Sequence, residues 1–265
     1  CFVAYRNCVL LSGGVPVSVP CLPEDGFRLR PEALRAALTP RTKMVMLGFP
    51  NNPTGAVLSR EDLAPLVDIL LDTEAVVLSD ELYAELTYRP EGHVSIASFP
   101  GMPERTLVVN GFSKAFAMTG WRLGYLCGPE SLVGPMNKIH QYAIMSAPTT
   151  AQYAAAEALR TCEREVRDMA EEYDRRRRTV LRAVREAGLP CVEPEGAFYV
   201  FPDIRPTGLS STEFCERLLA EKKVAIVPGN AFGTCGEGFV RICYAYSIDR
   251  IRDAMGRLRD FVAGV

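Results

Sequence analysis

The chain has 265 residues, of which 48% are hydrophobic and 23% charged, and its formal net charge is -2 at pH 7. These proportions are typical of a folded globular protein and exclude disordered, collagen-like and low-complexity classes. A net charge near zero favours neither a nucleic-acid nor a membrane partner, and the apolar runs are too short to cross a bilayer, so we expect a cytoplasmic protein.

Cysteine and histidine usage favours neither a disulfide framework nor a metal site. The nine cysteines include no Cys-x-x-Cys pair, so we expect reduced, mostly buried thiols. His93 and His140 are the only histidines, too few for a multi-histidine metal site. We interpret both as structural or solvent-facing residues, and we predict no metal.

Short apolar runs alternate with helical patterns in the first half of the chain. The predicted strands are residues 15–19, 43–49, 75–80, 106–109 and 123–127, and the predicted helices are residues 31–38 and 59–71. Such alternation favours parallel strands joined by helical crossovers, and hence an α/β fold with a mostly parallel sheet. Ser59 followed by Asp62 is a variant of the capping box that begins a helix.

A helix-rich region follows at residues 130–187, and the pattern changes again after it. The remaining predicted elements are extended runs at 191–204, 224–227 and 239–245 and helices at 210–222 and 247–262, the first of these helices with a capping box at Ser210 and Glu213. We therefore predict two domains, a large sheet domain at residues 1–168 and a smaller C-terminal α+β domain at residues 169–265.

Polar side chains follow three of the predicted strands where each strand ends. Asn52 follows the strand at 43–49, Asp80 and Tyr83 the strand at 75–80, and Lys114 the strand at 106–109. Each motif alone is compatible with an ordinary turn or surface role, but the carboxyl ends of parallel strands converge on one ligand-binding crevice. An amine, a carboxylate, a phenol and an amide suit pyridoxal 5'-phosphate, whose aldehyde, pyridine nitrogen and ring oxygen need those partners.

The chain resembles the class I and II aminotransferases, which are fold-type I pyridoxal-phosphate enzymes, over essentially its whole length. The strongest stretch is residues 110–125. Four motifs occur in the family's order: Asn-Pro-Thr-Gly from Asn52, Asp-x-x-Tyr at Asp80 and Tyr83, Ser113-Lys114 with Arg122, and Phe-Val-Arg ending at Arg241. The resemblance implies a large domain of the pyridoxal-phosphate transferase type and a smaller C-terminal domain.

The resemblance also implies the catalytic roles. Lys114 would form the Schiff base with the cofactor and then move a proton between the substrate α-carbon and the cofactor. Asp80 would pair with the pyridinium nitrogen, and Tyr83 and Asn52 would hydrogen-bond the ring oxygen.

Further residues would hold the anionic groups and the ring. Ser113 and Arg122 would bind the phosphate, and Arg241, with Asn52, would bind the substrate α-carboxylate, because the planar arginine fork matches two oxygens. Phe2 aligns with the aromatic residue that stacks on the ring.

The chain departs from the family pattern in two places. Gly111 stands where the family pattern often has a hydroxyl residue, so we expect one phosphate hydrogen bond to be absent. Lys114 comes roughly a hundred residues earlier than in such enzymes, so we expect an N-terminally truncated chain that binds the cofactor weakly and turns over poorly by itself. The resemblance implies a homodimer whose partner subunit contributes a tyrosine to the phosphate site.

The leading hypothesis is transfer of an amino group from an L-amino acid to a 2-oxo acid. One alternative is a pyridoxal-phosphate carbon-sulfur β-lyase, and another is an aminotransferase-like ligand-sensing domain of a transcription regulator. Aspartate, alanine and aromatic amino acids all remain open as substrates, because pocket shape sets side-chain specificity.

Overall fold

The computed structural model describes all 265 residues and divides them into two compact units. The sheet unit comprises Arg28–Pro50 and Val57–Ala170, and the C-terminal unit comprises Cys1–Phe27, Asn51–Ala56 and Glu171–Val265. The α/β class is confirmed. The division at residue 168 into a cofactor-binding and a small domain stays a prediction.

The elements are numbered in chain order. The helices are α1 (Ala4–Leu11), α2 (Pro31–Ala37), α3 (Arg60–Leu71), α4 (Phe112–Ala115), α5 (Glu130–Ala143), α6 (Thr149–Thr161), α7 (Glu163–Glu186), α8 (Ser211–Lys222) and α9 (Ile248–Val262). The strands are β1 (Met44–Gly48), β2 (Val76–Asp80), β3 (Thr106–Gly111), β4 (Gly124–Cys127), β5 (Tyr199–Val200), β6 (Val227–Pro228) and β7 (Val240–Cys243). None of the helices has the length and apolar character that crossing a membrane requires.

The sheet unit is built on four strands in the order β1-β2-β3-β4. Strands β1, β2 and β3 are parallel, and β4 runs antiparallel to β3. The apolar residues Leu47, Val77 and Leu107 are buried in neighbouring strands, as expected for a sheet with covered faces. Because the three parallel strands end at the same edge, residues that follow β2 and β3 emerge next to one another.

Helix α3 connects β1 to β2 and begins with the predicted capping box. The Ser59 hydroxyl accepts a hydrogen bond from the Asp62 backbone N–H at 3.1 Å, and the Asp62 carboxylate accepts one from the Ser59 N–H at 2.8 Å. Both bonds satisfy N–H groups that have no partner within the helix. The helix then buries one apolar face, formed by Leu63, Leu66, Val67, Ile69 and Leu70.

Replacing Ser59 with alanine is expected to lower the free energy of unfolding by about 1 kcal/mol, because the helix loses its N-cap. Urea unfolding followed by circular dichroism measures this change. Ser18→Ala, at an exposed position outside any helix, is the control and should leave the unfolding free energy unchanged. Equal losses in the two variants would contradict the role of the cap.

The predicted strand at residues 15–19 is wrong. The structure gives this segment no regular secondary structure, and Val15 and Val17 are 87% and 68% exposed. Pro16 lies within it and Pro20 directly follows, and proline has no N–H to donate to a sheet. The alternating valines at 15, 17 and 19 have no strand partner in this chain.

The C-terminal unit has a three-stranded antiparallel sheet in the order β5-β7-β6, together with α8 and α9. Phe214 of α8 and Phe261 of α9 meet edge to face, with ring centroids 5.1 Å apart, and both are buried. Of the second predicted capping box, the structure shows the serine half, in which Ser210 accepts a hydrogen bond from the Glu213 N–H at 3.2 Å.

All nine cysteines are free thiols, but most of them are not buried. Only Cys215 is buried, and burial raises the pKa of its thiol to about 12. The exposed thiols are Cys1, Cys8, Cys127 and Cys235. Cysteine is buried more often than most residues, but composition does not show which face of an element each cysteine occupies.

Candidate active site

The sheet unit brings Asp80 and Lys114 to the same edge. Asp80 is the last residue of β2 and is in register with Val109 of the neighbouring parallel strand β3. Lys114 lies in α4, which begins directly after β3 ends at Gly111. The sheet topology therefore places the carboxylate and the amine after adjacent strands, as the sequence predicts.

Tyr83 lies against the lysine. The Lys114 Nζ atom is 5.8 Å from the centroid of the Tyr83 ring, a distance at which an ammonium is attracted to the face of an aromatic ring. The Tyr83 side chain is buried, whereas Lys114 is half-buried. We call Asp80, Tyr83 and Lys114 the lysine site.

Local hydrogen bonds shape the chain between Asp80 and Tyr83. The Asp80 carboxylate accepts a hydrogen bond from the Leu82 backbone N–H at 3.2 Å, which is the bond of an Asx turn. The Ala84 N–H donates to the carbonyl of Glu81 at 2.9 Å and closes a second turn. The strand thus turns sharply after Asp80, and Tyr83 is carried within that turn.

The segment from Ser113 to Arg122, which comprises most of α4 and the residues after it, has two strained positions. Ala117 and Arg122 have φ angles of 52° and 54°, in the left-handed region that non-glycine residues seldom adopt. The exposed Arg122 donates from Nη1 to the carbonyl of Thr119 at 2.9 Å, and Ser113 is half-buried. Strain of this kind is concentrated at binding loops, where surrounding contacts maintain it.

The glycine at position 111 has a packing cause. Gly111 pairs with Gly124 across β3 and β4, and a Cβ atom added at Gly111 would lie 2.9 Å from the Gly124 Cα and 3.1 Å from the Leu123 carbonyl oxygen. A larger side chain would push these backbones apart. Gly111 thus offers only its backbone to any ligand at this position.

The C-terminal unit brings Asn52 and Arg241 together, and we call this pair the arginine site. Arg241 Nη1 donates to the Asn52 side-chain oxygen at 2.8 Å. The Arg241 guanidinium carbon lies 4.4 Å from the ring centroid of Tyr199 and 4.9 Å from that of Phe232. The Arg241 Nε atom is buried and has no hydrogen-bond partner.

The loop that carries Asn52 is fixed by backbone contacts. The carbonyl of Gly55 accepts hydrogen bonds from the N–H groups of Glu195 and Gly196, each at 2.9 Å. A Cβ atom added at Gly55 would lie 2.3 Å from the Cβ of Pro194, and Gly55 has a φ of 71°. Only glycine fits this position, and this explains the last residue of the Asn-Pro-Thr-Gly motif.

Tyr199 and Phe232 belong to the environment of Arg241, although the sequence alone assigns neither of them a role in the site. Both lie in short segments, Gly-Ala-Phe-Tyr and Pro-Gly-Asn-Ala-Phe-Gly, that are also compatible with ordinary strand and turn roles. The signal was therefore present in the sequence but was not specific. Phe2, the predicted stacking residue, is 43% exposed, and its ring contacts Tyr5 with centroids 5.8 Å apart.

Four polar residues beside the lysine site were not predicted to interact. The Glu81 carboxylate accepts hydrogen bonds from Ser79 Oγ at 2.9 Å and Ser95 Oγ at 2.6 Å, and its other oxygen lies 2.9 Å from His93 Nε2. The His93 side chain is only 13% exposed, so His93 is a structural residue and not a solvent-facing one. We call these four residues the Glu81 cluster.

Comparison with known proteins identifies the family. The model of the aminotransferase class I and II family matches residues 1–258. An aspartate aminotransferase of Pyrococcus abyssi is 48% identical over 97% of the chain and 67% of its own length, and aromatic-amino-acid aminotransferase 2 of Thermococcus litoralis has the same identity and coverage. The chain thus spans about two thirds of these relatives.

Solved structures agree with this assignment. The crystal structure of an aromatic aminotransferase from Pyrococcus horikoshii OT3 superposes with a TM-score of 0.97 at 47% identity, covering 100% of this chain and 71% of that one. Fold and sequence agree over nearly the whole chain, which confirms the resemblance that the four motifs indicate. The chain therefore belongs to the class I and II aminotransferases, enzymes that depend on pyridoxal phosphate to move amino groups.

Proposed function

We propose that this aminotransferase moves the amino group of an L-amino acid to a 2-oxo acid with Lys114 as the proton-transfer residue and Arg241 as the carboxylate-binding residue. The observation that carries the proposal is the hydrogen bonding of the Arg241 guanidinium. Its guanidinium is held by an uncharged amide, with the Nε donor buried and unpaired. A buried donor without a partner is costly, and a carboxylate accepts two parallel bonds from a guanidinium.

The residues of the lysine site fit the family's cofactor. The site offers an amine in contact with a phenol ring, and a carboxylate at the end of the adjacent strand. Pyridoxal phosphate, when bound, supplies an aldehyde that reacts with amines and a ring that accepts electrons from the substrate α-carbon. The aldehyde needs an amine, which Lys114 offers, and the electron-accepting ring needs a carboxylate, which Asp80 offers.

The individual roles follow from the chemistry of each side chain. Lys114 would remove and return the proton at the substrate α-carbon, and Asp80 would keep the pyridine nitrogen protonated. Tyr83 and Asn52 would donate hydrogen bonds to the ring oxygen. Ser113 and Arg122 would bind the phosphate, and Phe2 would stack on the ring.

The proposed substrate is an α-amino acid, and aspartate, alanine and the aromatic amino acids are all candidates. Relatives named for aspartate and for aromatic amino acids have the same 48% identity to this chain, so identity does not favour either. Arg241 would bind the carboxylate that all amino acids and 2-oxo acids share. The residues that contact the substrate side chain would select among them.

We further propose a homodimer. Helices α5 and α6 and the segment between them expose large apolar side chains, among them Ile139, Tyr142, Met145, Tyr153 and Leu159. Exposed apolar patches of this kind mark interaction surfaces. We also place the protein in the cytoplasm, where its nine free thiols would stay reduced. The lack of nucleic-acid and membrane partners stays a prediction from the net charge.

A two-step experiment tests this function. An L-amino acid added to the cofactor-loaded full-length protein should reduce its visible absorbance and yield one equivalent of 2-oxo acid, because the amino group stays on the protein. A different 2-oxo acid should then restore the absorbance and release a new amino acid. Release of pyruvate and ammonia from a sulfur-containing amino acid without any 2-oxo acid would instead indicate the lyase, and binding without turnover a sensing domain.

A further inference from the structure

The Glu81 cluster contains a carboxylate that is buried and yet well supplied with donors. Glu81 is 5% exposed, and Ser79 at 2.9 Å, Ser95 at 2.6 Å and His93 at 2.9 Å all approach its two oxygens. Burial alone would raise the pKa of the Glu81 carboxyl, but the adjacent His93 imidazole, together with hydrogen bonds from Ser95 and Ser79, holds that pKa below its usual value. Glu81 is therefore ionised at neutral pH.

The backbone of Glu81 connects the three parts of the lysine site. Its N–H donates to the carbonyl of Val109 at 2.8 Å, on the strand that leads to Lys114. Its carbonyl accepts from the Ala84 N–H and so closes the turn that carries Tyr83. Asp80 directly precedes Glu81 in the chain. A displacement of Glu81 would therefore move all three residues of the lysine site.

The side chains of this segment alternate in direction. Ser79 and Glu81 hydrogen-bond each other and so face the same side, and alternation along a strand directs Asp80 to the other side. The Glu81 carboxylate therefore approaches the strand end from the side opposite to Asp80. It can fix the backbone of Asp80 without contacting anything that Asp80 binds.

The other half of the cluster lies on a segment that is itself anchored. The Ser95 hydroxyl accepts a hydrogen bond from the Ala97 N–H at 3.2 Å as well as donating to Glu81. Ile96, between them, is 2% exposed and belongs to the core. The cluster thus ties the end of β2 to a fixed point in the sheet unit.

The arrangement does not resemble a serine-histidine-carboxylate nucleophile site. Both serine hydroxyls donate to the Glu81 carboxylate, whereas a nucleophilic serine would need histidine as its base. The cluster is a set of donors around a charge, and its chemistry is structural support for the residues on either side of Glu81.

We propose that Glu81, with His93 as its partner, is a positioning residue that sets the orientation of Asp80 and Tyr83 without touching cofactor or substrate. The inference rests on the proposed roles of Asp80 and Tyr83. It predicts that removing the charge of Glu81 loosens the lysine site and impairs the chemical step more than it impairs substrate binding.

The first test is Glu81→Gln, which keeps the size of the side chain and removes its charge. Misplacing catalytic groups by a fraction of an ångström to 1 Å costs up to about 100-fold in rate, so we expect kcat to fall at least tenfold with KM for the amino acid nearly unchanged. The dissociation constant for pyridoxal phosphate should rise, and the pH midpoint of the absorbance change of the loaded protein should shift. Glu104→Gln, at an exposed position of the same unit, should match the wild type in each measurement.

The second test compares two variants of His93. Glutamine can still donate to Glu81 and leucine cannot, so His93→Gln should keep most of the activity, whereas His93→Leu should reproduce the loss in kcat and the shifted midpoint. This pair of variants decides the question if Glu81→Gln does not fold. Melting temperatures are measured for all variants.

A purely structural cluster would lower the melting temperature and leave kcat, the cofactor dissociation constant and the pH midpoint at wild-type values, and this result would overturn the inference. So would equal behaviour of His93→Gln and His93→Leu. If the full-length wild-type protein fails to transfer amino groups, the proposed function fails first. If the wild type is active and Glu81→Gln matches it, the result contradicts the positioning role of Glu81 and leaves the proposed function intact.

Discussion

Replacing Lys114 with alanine is expected to reduce amino-group transfer by roughly four orders of magnitude, the upper range for loss of a general acid–base group. The amine in contact with Tyr83 at the lysine site is lost, and no methyl group can accept or donate a proton. In the same unit, Lys43 and Lys138 are exposed. Steady-state kinetics with an L-amino acid and a 2-oxo acid measure the effect.

Lys43→Ala is the matched control for this prediction. It removes an equal charge from an exposed position just before β1 and should leave kcat unchanged. The Lys114→Ala protein should retain the wild-type circular dichroism spectrum, so that loss of activity is not loss of fold. A Lys114→Ala protein with normal turnover would refute the assigned role, and equal losses in both variants would attribute the effect to charge rather than to chemistry.

The sequence predicts the lysine site because the relative direction of the strands follows from simple rules. Apolar runs separated by helical patterns favour parallel strands, and β1, β2 and β3 are parallel in the structure. Parallel strands end at one edge, so the positions of Asp80 and Lys114 after two such runs suffice to predict that they emerge together. The N-cap of α3 is also predictable, because its signal is local: Ser59 and Asp62 lie three residues apart, which is the spacing of a capping box.

The Glu81 cluster could not be predicted in this way. An acidic residue after a strand is usually exposed, and the burial of Glu81 depends on His93 and Ser95, which reach it from a separate segment. Its local sequence gives no periodic signal for that contact. The environment of Arg241 is similar, because Tyr199 and Phe232 surround the guanidinium from segments that are distant in the chain.

Local pattern was misleading at residues 15–19. Alternating valines satisfy the strand pattern, but a strand also needs a partner and free N–H groups, and Pro16 removes one of these. Gly111 shows the reverse case. The sequence shows only that a hydroxyl is absent there, whereas the structure shows that Gly124 on the paired strand leaves no room for a side chain.

Replacing Arg241 with lysine is expected to raise KM for both the amino acid and the 2-oxo acid by about 10-fold to 100-fold. Hydrogen bonds to charged groups contribute roughly 1.5–3 kcal/mol each, and lysine keeps the charge but loses the planar fork. The fork is held in place by Asn52 at 2.8 Å and lies over the rings of Tyr199 and Phe232. A flexible ammonium cannot present two parallel N–H groups from that position.

Two comparisons make this prediction specific to the carboxylate. A primary amine with the same side chain but no carboxylate should react equally slowly with the wild type and with Arg241→Lys, because the amine offers no carboxylate for residue 241 to bind. Arg250→Lys, at an exposed position on α9, should leave every KM unchanged. If Arg241→Lys weakens the amine and the amino acid by the same factor, then Arg241 supports the fold of the site and another residue binds the carboxylate.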